Sequence, residues 1–482
     1  MHRRAFLALA AACARGAELR DPAPPERLDP GPVKALQAKP SPATTFHAKP
    51  KSLPPGAKTE DWPQFLGPRR NMTSNDTGLL ESLAPGRPKL VWEFAKGTGY
   101  SSPTIADGRL FYMHRLANRE RVECLEPETG RLFWSFEYPT DFSDRYGYNN
   151  GPRASVAIDG DCLRLWRAGK VALPARGRRR SAVEARPRCR VRMPQDFFGT
   201  ASTPLVEGDL LIVNVGAPGG PCVAAFDKMT GSLAWAAGDE WGPSYASPVA
   251  ADIHGERKIF VFAGGESRPP TGGLLMLDAK TGKLHFSFPW RSRSYESVNA
   301  ATPVVVGNEV LISAAYRTGA ALLRIQPDFS VEKAWESSEF DLHWTTALER
   351  DGYFYAFAGR NEPDAVLRCV NRKTGETVWS KVLEWDETVE VNGQQRAISA
   401  SPFRGSLMRV DNRWLALGEW GHLLWLDMSP KGVAIASKTK LFFARETWSP
   451  PVISRGLLYI SQNTRGFDGS SPRLLCFDMR AS

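Results

Sequence analysis

The sequence predicts an all-β fold: an eight-bladed β-propeller of four-stranded antiparallel blades, closed by an N-terminal strand. Three observations predict it. A hairpin pattern begins eight times along the chain, several copies continue into a second hairpin, and one strand near the N-terminus belongs to no repeat. Two hairpins make four antiparallel strands, and sheets of this kind repeat radially in propellers. Seven blades are the fallback count.

The first observation is the internal repeat. Each copy has a small residue or Pro, alternating apolar residues, a turn containing Gly, Asp or Asn, and a second apolar run. Period-2 alternation around such a turn is typical of a β-hairpin. The spacing of about fifty residues is close to that of propeller blades. The copies begin at Ser101, Ala154, Ser202, Ala246, Ala301, Thr346, Gly405 and Ser449.

The second observation is a Thr-Gly turn within the second hairpin. It occurs in CLEPETGRLFW, AFDKMTGSLAW, MLDAKTGKLHF and CVNRKTGETVW, which end at Trp134, Trp235, Phe286 and Trp379. Gly accepts the positive φ that such a turn needs. The aromatic residue four positions later lies on the outer strand, where we expect it to pack against the neighbouring blade.

The third observation is the strand KLVWEF at 89–94, which includes the outer-strand aromatic Trp92. The last repeat, which runs to Ser482, lacks an outer strand of its own. Pairing this strand with the last repeat closes the ring and removes an exposed sheet edge.

Residues 1–14 predict a cleaved signal peptide, because Arg3 and Arg4 precede a short apolar run in an order that resembles a twin-arginine signal. Cys13 follows a weak lipoprotein box, and we prefer to interpret it as part of the apolar run rather than as a lipid anchor. The Pro-rich residues 15–60 predict a disordered tether. The predicted localisation is therefore the periplasm.

Residues 164–192 interrupt the repeat. They lack a Thr-Gly turn and hold ten Arg, one Lys and one Glu. Three interpretations are open: a basic loop that binds anions, a degenerate blade, or a stretch translated in the wrong reading frame, which we prefer. The segment accounts for the whole net charge of +10, so nucleic acid is not an expected partner. No run of apolar residues is long enough to predict a transmembrane span.

The D-x-x-T-G-x-x-x-W pattern resembles the repeat of the pyrroloquinoline quinone (PQQ)-like β-propellers. Its best copy comprises Asp227, Thr230, Gly231 and Trp235. The segment DWPQFLGP at 61–68 is similar to the start of many exported bacterial members, and the resemblance covers residues 61–482. It implies the fold and two functions. Quinoprotein alcohol dehydrogenases belong to this superfamily, and so does the lipoprotein scaffold of the outer-membrane β-barrel assembly machinery.

The resemblance also implies what a dehydrogenase would contain. Members of that class hold PQQ and Ca²⁺ at the propeller axis, with an adjacent Cys-Cys disulfide, a Trp beneath the cofactor, Glu and Asn on calcium, and an Asp base. This chain has no adjacent cysteines. Glu296, Asn299 and Asp341 could supply oxygen ligands for Ca²⁺, although we prefer to interpret them as ordinary loop residues. No cofactor or metal is firmly expected, and PQQ with calcium is the alternative.

The loops before the innermost strands are rich in Tyr, Trp, Asn, Arg and Glu, and the topology brings them to one face, as a binding funnel requires. The candidate ligand contacts are Arg153, Tyr245, Glu296, Asn299, His343, Trp344 and Trp448. Packing between blades explains the same residues equally well. No catalytic residue is predicted, because no Ser or Cys nucleophile is identifiable for His343.

These observations predict an exported, non-catalytic module that binds a ligand or acts as a protein-protein scaffold. The expected partner at the propeller face is a protein, a peptide or a saccharide. The alternative is a PQQ- and calcium-dependent dehydrogenase that oxidises an alcohol or a sugar.

Overall fold

The computed structural model describes residues 37–84, 86–160, 162–167, 170–174, 182–185, 197–216, 219–391 and 393–481, with only the backbone of three strands described between 161 and 196. These residues form β-strands and one 3₁₀ turn, Glu362–Asp364, and contain no α-helix. No helix among them has the length and apolarity needed to cross a bilayer. The prediction of an all-β propeller is confirmed.

The strands follow the repeat in chain order. Before the first repeat lie β1 (Thr44–Phe46), β2 (Thr73–Ser74) and β3 (Lys89–Ala95). The next four sheets are β4 (Thr104–Ala106), β5 (Arg109–Leu116), β6 (Arg119–Leu125), β7 (Leu132–Pro139); β8 (Ala157–Asp159), β9 (Cys162–Arg167), β10 (Lys170–Pro174), β11 (Ala182–Ala185); β12 (Leu205–Glu207), β13 (Leu210–Asn214), β14 (Val223–Asp227), β15 (Leu233–Ala237); and β16 (Val249–Ile253), β17 (Glu256–Ala263), β18 (Gly273–Asp278), β19 (Leu284–Pro289).

The second half continues in the same way. Its strands are β20 (Val304–Val306), β21 (Glu309–Ala314), β22 (Gly319–Ile325), β23 (Val331–Ser337); β24 (Leu348–Arg350), β25 (Tyr353–Ala358), β26 (Val366–Asn371), β27 (Thr377–Lys381); the inserted hairpin β28 (Trp385–Val391) and β29 (Gln394–Ala400); β30 (Ser406–Val410), β31 (Arg413–Leu417), β32 (His422–Ser429), β33 (Gly432–Lys440); and β34 (Val452–Ser454), β35 (Leu457–Gln462), β36 (Arg473–Asp478). Consecutive strands within each repeat pair as an antiparallel meander, whereas β1, β2 and β3 add to the sheets of the last two repeats.

Three outer-strand tryptophans are hydrogen-bonded to the following blade. Their indole N–H groups donate to main-chain carbonyls of the following blade: Trp92 to Pro127 (2.8 Å), Trp235 to Ala279 (3.3 Å) and Trp335 to Arg372 (2.7 Å). A Cβ atom added to Gly130, Gly282 or Gly375 would lie 2.9, 2.4 or 2.6 Å from the same rings. The turn glycine is therefore needed both for its positive φ and for room beneath the indole. The predicted packing of the aromatic residue is confirmed.

The N-terminal strand closes the ring. β3 pairs antiparallel with β36, with Trp92 opposite Cys476 and Phe94 opposite Leu474. The prediction that this strand completes the last sheet is confirmed. Cys124, Cys369 and Cys476 are buried in the sheets.

The predicted tether differs from the structure in its second half. β1 pairs with β3 as a fifth strand, the Lys51 amide donates to the Asp478 carboxylate at 2.8 Å, and the Arg480 guanidinium donates to the Lys51 carbonyl at 2.6 Å. Backbone hydrogen bonds to a sheet edge need few apolar side chains, which is why composition alone misled the prediction. The predicted signal peptide and the rest of the tether lie outside the described residues.

Seven sheets of at least four strands have described side chains, which supports the fallback count of seven rather than eight blades. The repeat from Ala154 forms β8–β11, and β8 lies between β4 and β12, the inner strands of the neighbouring sheets. Most of its residues carry the irregular sequence of 164–192, which lacks the apolar alternation that packs a blade. The side chains of residues 164–192 lie outside the described residues, so the three interpretations of that segment stay predictions.

Hydroxyl groups link the innermost strands around the axis. The amides of Ser102, Ser155 and Thr203 donate to the hydroxyls of Ser155, Thr203 and Ser247 at 3.2, 3.0 and 3.0 Å. The repeated small residue before each inner strand is therefore explained by close approach of strands at the axis. These bonds hold neighbouring blades in register where the loops of one face converge.

A segment at 61–74 covers the opposite face. Trp62 is buried and bonded to Ile105 through the main chain, the Pro63 carbonyl accepts from the Ile158 amide at 2.9 Å, and β2 pairs parallel with β30. This segment therefore lies across several inner strands on that face.

Candidate functional site

The loops that lead into the inner strands and those that join second to third strands lie on one side, because successive strands of each meander run in opposite directions. We call this side the rim face. All seven predicted ligand contacts lie in loops of this face, opposite the segment at 61–74.

An arc of aromatic rings runs along the rim face. Ring centroids are 4.6 Å apart for His343 and Trp344, 5.0 Å for Trp344 and Trp448, and 5.2 Å for Trp448 and Tyr100. His343 and Trp344 come from the loop between β23 and β24, Trp448 from the loop between β33 and β34, and Tyr100 from the segment before β4. The aromatic residues thus pack on one another at the axis rather than on separate blades.

The arc continues through an arginine. The Arg153 guanidinium carbon lies 5.3 Å from the ring centroids of both Tyr100 and Phe198, and the rings of Phe198 and Tyr245 are 5.5 Å apart. Arg153 also pairs with the buried carboxylate of Asp144 at 2.6 Å. Five predicted contacts are therefore brought together: His343, Trp344, Trp448, Arg153 and Tyr245. Sequence reasoning missed Tyr100 and Phe198, which join them.

The centre of the arc is an ion pair that sequence reasoning also missed. The Arg404 guanidinium carbon lies 4.9 Å from the Trp344 ring and 5.2 Å from the Trp448 ring. It pairs with Glu419, which is fully buried. Glu419 also accepts a 2.6 Å hydrogen bond from the Trp448 indole N–H. The ion pair therefore orients both indoles. In the sequence, the only indication of this pair was that Arg404 and Glu419 both lie in rim loops.

Two buried polar atoms beside this cluster have no hydrogen-bond partner among the described residues: the Trp344 indole nitrogen and His343 Nδ1. Burial, together with the charges of Arg404 and Arg360, lowers the pKa of His343 to about 3. His343 is therefore neutral at neutral pH. An indole donor, a neutral imidazole and two guanidinium groups make a site rich in hydrogen-bond donors, which suits a planar ligand with anionic oxygens.

The residues predicted as oxygen ligands for calcium are not gathered in the same way. The Asn299 amide donates to the carbonyls of Ala263 (2.7 Å) and Trp290 (2.9 Å), so it holds a loop. Glu296 is exposed on the rim face. Asp341 is half-buried, and burial raises its pKa while Arg368 opposes that rise. The described residues contain no cluster of three His, Cys, Asp or Glu side chains that could hold a metal ion.

A buried lysine, Lys96, is hydrogen-bonded to two loops of the rim face. Lys96 Nζ donates to the Gly99 carbonyl at 2.9 Å and to Asn463 Oδ1 at 3.2 Å. Burial lowers the pKa of Lys96 to about 7. Because neutral hydrogen-bond acceptors surround it, its charged form is costly in the folded protein.

We expect Lys96 to make stability rise with pH. Its folded pKa of about 7 lies below the ordinary lysine value, so between these values the unfolded state binds more protons and stability rises by up to about 1.4 kcal/mol per pH unit. Urea unfolding at pH 7.5 and 9 should show this gain in the wild type but not in Lys96→Met. Lys431→Met, at an exposed turn, is the control. An unchanged slope in Lys96→Met would contradict the prediction.

A family model described as outer membrane protein assembly factor BamB matches residues 118–381, more than half of the chain. The chain belongs to this family of PQQ-type propellers. The resemblance expected from the Thr-Gly-Trp repeats is confirmed.

Relatives of this PQQ-type propeller include a protein named alcohol dehydrogenase (quinone), dehydrogenase subunit, from Gluconobacter oxydans (strain 621H). The two are 21% identical over 396 residues, which are 74% of this chain and 44% of the relative. The chain therefore spans less than half the length of that relative.

Two solved structures are similar in fold. A europium-containing methanol dehydrogenase has a TM-score of 0.56 at 10% identity, over 85% of this chain and 96% of that one. The quinohemoprotein alcohol dehydrogenase from Comamonas testosteroni has a TM-score of 0.57 at 11% identity, over 88% and 81%. At these identities the similarity shows the fold alone.

Proposed function

We propose that this protein is a quinone-dependent dehydrogenase that oxidises an alcohol or a sugar at the rim face. This reverses the order of the two functions expected from the sequence. The observation that carries the proposal is the Arg404 guanidinium beside Trp344 and Trp448, next to two unpartnered buried polar atoms. The name of the Gluconobacter relative supports the same class of reaction.

The rim residues fit the organic part of a PQQ-type cofactor. PQQ is planar and carries carboxylates, and guanidinium groups bind carboxylates while aromatic faces contact planar rings. In this proposal Arg404 and Arg360 neutralise the carboxylates, the Trp344 N–H donates to a ligand oxygen, and Trp344 and Trp448 contact the ring. Bound PQQ would supply the two-electron acceptor for the oxidation. The packed aromatic residues would exclude water from the reacting centre.

The described residues do not fit the calcium that accompanies the cofactor in the resembled dehydrogenases. Asn299 holds main-chain carbonyls, and no group of three His, Cys, Asp or Glu side chains among the described residues could hold a metal ion. Charge neutralisation by Arg404 and Arg360 is therefore the part of the proposal that this chain's own residues support.

Reconstitution tests the proposal. Purified protein incubated with PQQ, with and without Ca²⁺, should retain the quinone chromophore after gel filtration and reduce a dye when alcohol is added. Trp344→Ala should weaken PQQ binding about tenfold, because one aromatic contact is worth about 0.5–1.5 kcal/mol. Trp385→Ala, on the inserted hairpin β28–β29, is the matched control. A wild-type protein that retains no chromophore would overturn the proposal.

A scaffold is the second candidate, favoured by the description of the matching family as an outer membrane protein assembly factor. Binding of a protein partner at the rim face without retention of PQQ would favour it.

We also propose that the protein is exported to the periplasm, and that β8–β11 forms an eighth blade. An intact Thr-Gly-Trp repeat in the resequenced gene would support that blade.

A further inference from the structure

We propose that a small cavity between the segment at 61–74 and the inner strands binds a chloride ion. The cavity lies where that segment meets the starts of β12, β16 and β20. Its volume is about 10 Å³, which is room for one water-sized species. Its polar lining comprises Gln64, Arg70, Thr203, Ser247 and Thr302. Chloride would bind here whether or not the rim face holds a quinone.

Three of the lining residues carry hydroxyl groups that can still donate a hydrogen bond. Thr203 and Ser247 are buried, and each hydroxyl oxygen accepts a main-chain amide at 3.0 Å. Thr302 is also buried, at 6% exposed, and its hydroxyl makes no hydrogen bond with the described residues. None of the three hydroxyls donates to a described residue. Because a hydroxyl has one proton to donate, each lacks an acceptor that an ion in the cavity would supply.

The positive charge of the cavity comes from Arg70. Its guanidinium donates to the Val206 carbonyl at 3.2 Å and forms no ion pair with a carboxylate of the described residues. Burial lowers the pKa of Arg70, the charge of Glu207 opposes this fall, and Arg257 adds to it. The Glu207 carboxylate is itself paired with Arg257 at 2.8 Å. A guanidinium withdrawn from water without a paired carboxylate is stabilised by a counter-ion.

These groups favour an anion over a cation or a water molecule. The charge of Arg70 disfavours a cation. A water molecule needs acceptors for its own two hydrogens, whereas the three hydroxyls and the guanidinium present donors. Chloride accepts from all of these donors, balances the guanidinium charge and is close to a water molecule in size. Bound chloride would therefore join the segment at 61–74 to three inner strands.

The test measures chloride binding by ³⁵Cl NMR, in which exchange with a protein site broadens the signal of free chloride. The full-length protein should give broadening that saturates and that bromide reverses. Arg70→Met and Thr302→Val should each weaken binding by at least about tenfold, because each removes a hydrogen bond to a charged group. Arg324→Met, which removes a partly exposed positive charge from β22, is the matched control and should bind like the wild type. Wild-type broadening no greater than that of Arg70→Met would overturn the proposal.

Thr302→Val separates ion binding from folding. Valine keeps the shape of threonine and removes only a hydroxyl that no described residue bonds, so the variant should unfold at the wild-type temperature when chloride is absent. Added chloride should raise the unfolding temperature of the wild type more than that of Thr302→Val. If Arg70→Met fails to fold, this comparison still decides, and equal chloride effects in both proteins would overturn the proposal.

Crystals give the position of the ion. Crystals of the wild type soaked in about 0.1 M bromide should show an anomalous peak at the cavity, beside Arg70 and Thr302, and this peak should be lost in Thr302→Val because binding there is at least about tenfold weaker. A water molecule without anomalous signal would overturn the proposal. A peak that appears only at molar bromide would mean an adventitious ion only, and would overturn it as well.

Discussion

Replacing Arg404 by Met is expected to destabilise the protein by about 3–5 kcal/mol, because it leaves the carboxylate of Glu419 buried without its partner. Glu419 is 0% exposed. It receives hydrogen bonds from Arg404 Nε (3.0 Å) and from the Trp448 indole (2.6 Å). The free energy of unfolding, measured in urea at pH 7.5, checks the prediction.

Two further variants make the test of Arg404 specific. Arg404→Met combined with Glu419→Gln should recover much of the lost stability, because a neutral amide still accepts from the Trp448 indole and carries no buried charge. Arg324→Met breaks a partly exposed ion pair with Glu309, and should cost no more than about 1 kcal/mol. Equal costs for Arg404→Met and Arg324→Met would contradict the interpretation. Arg404→Met should also bind PQQ more weakly than the wild type does.

Replacing Trp92 by Ala is expected to cost about 3–5 kcal/mol, because it opens a cavity where the ring of blades closes. Trp92 is 0% exposed and its ring centroid lies 6.0 Å from that of Tyr459. It also covers Gly130 of the first blade. The loss therefore affects two blades, because β3 belongs to the last sheet and Gly130 to the first.

The matched variant for Trp92 is Phe. Trp92→Phe keeps an aromatic ring over Gly130 but loses the 2.8 Å hydrogen bond to the Pro127 carbonyl, so we expect it to cost about 1–3 kcal/mol. Thermal unfolding of both variants gives the comparison. A cost for Trp92→Ala as small as that for Val378→Ala, at an exposed outer-strand position, would contradict the role of Trp92 in closure.

The fold could be predicted from the sequence because each of its requirements is local. Period-2 alternation defines the strands, a Gly with positive φ defines the turn, and an aromatic residue four positions later contacts the next blade. β3 could be predicted as the closing strand because it carried Trp92 without a blade. Trp335 shows the limit of this signal, since its blade has no Thr-Gly turn, yet the indole bonds to the next blade in the same way.

The site could be predicted only in part. Rim loops have no periodicity, so composition pointed only to one face and to residues that meet there, among them Trp344, Trp448 and Arg153. It did not distinguish Asn299, which holds main-chain carbonyls, from the residues of the aromatic arc. Tyr100 and Glu446 are far apart in the sequence and gave no shared pattern, although their side chains meet at 2.5 Å.

Local patterns in the sequence were enough to predict repeated four-stranded sheets and the strand 89–94 that closes the ring of sheets. Hairpins, turns and the outer-strand aromatic residues are specified by neighbours within one repeat. Only the tertiary structure decided that 37–60 lies against the last sheet, that Arg404 and Glu419 form the buried centre of the rim face, and that Glu446 meets Tyr100. Tyr100 and Glu446, like 37–60 and the last sheet, are far apart in the chain, and Arg404 meets Glu419 across two different loops of one sheet. Their geometry depends on how the blades converge at the axis, which no local pattern specifies.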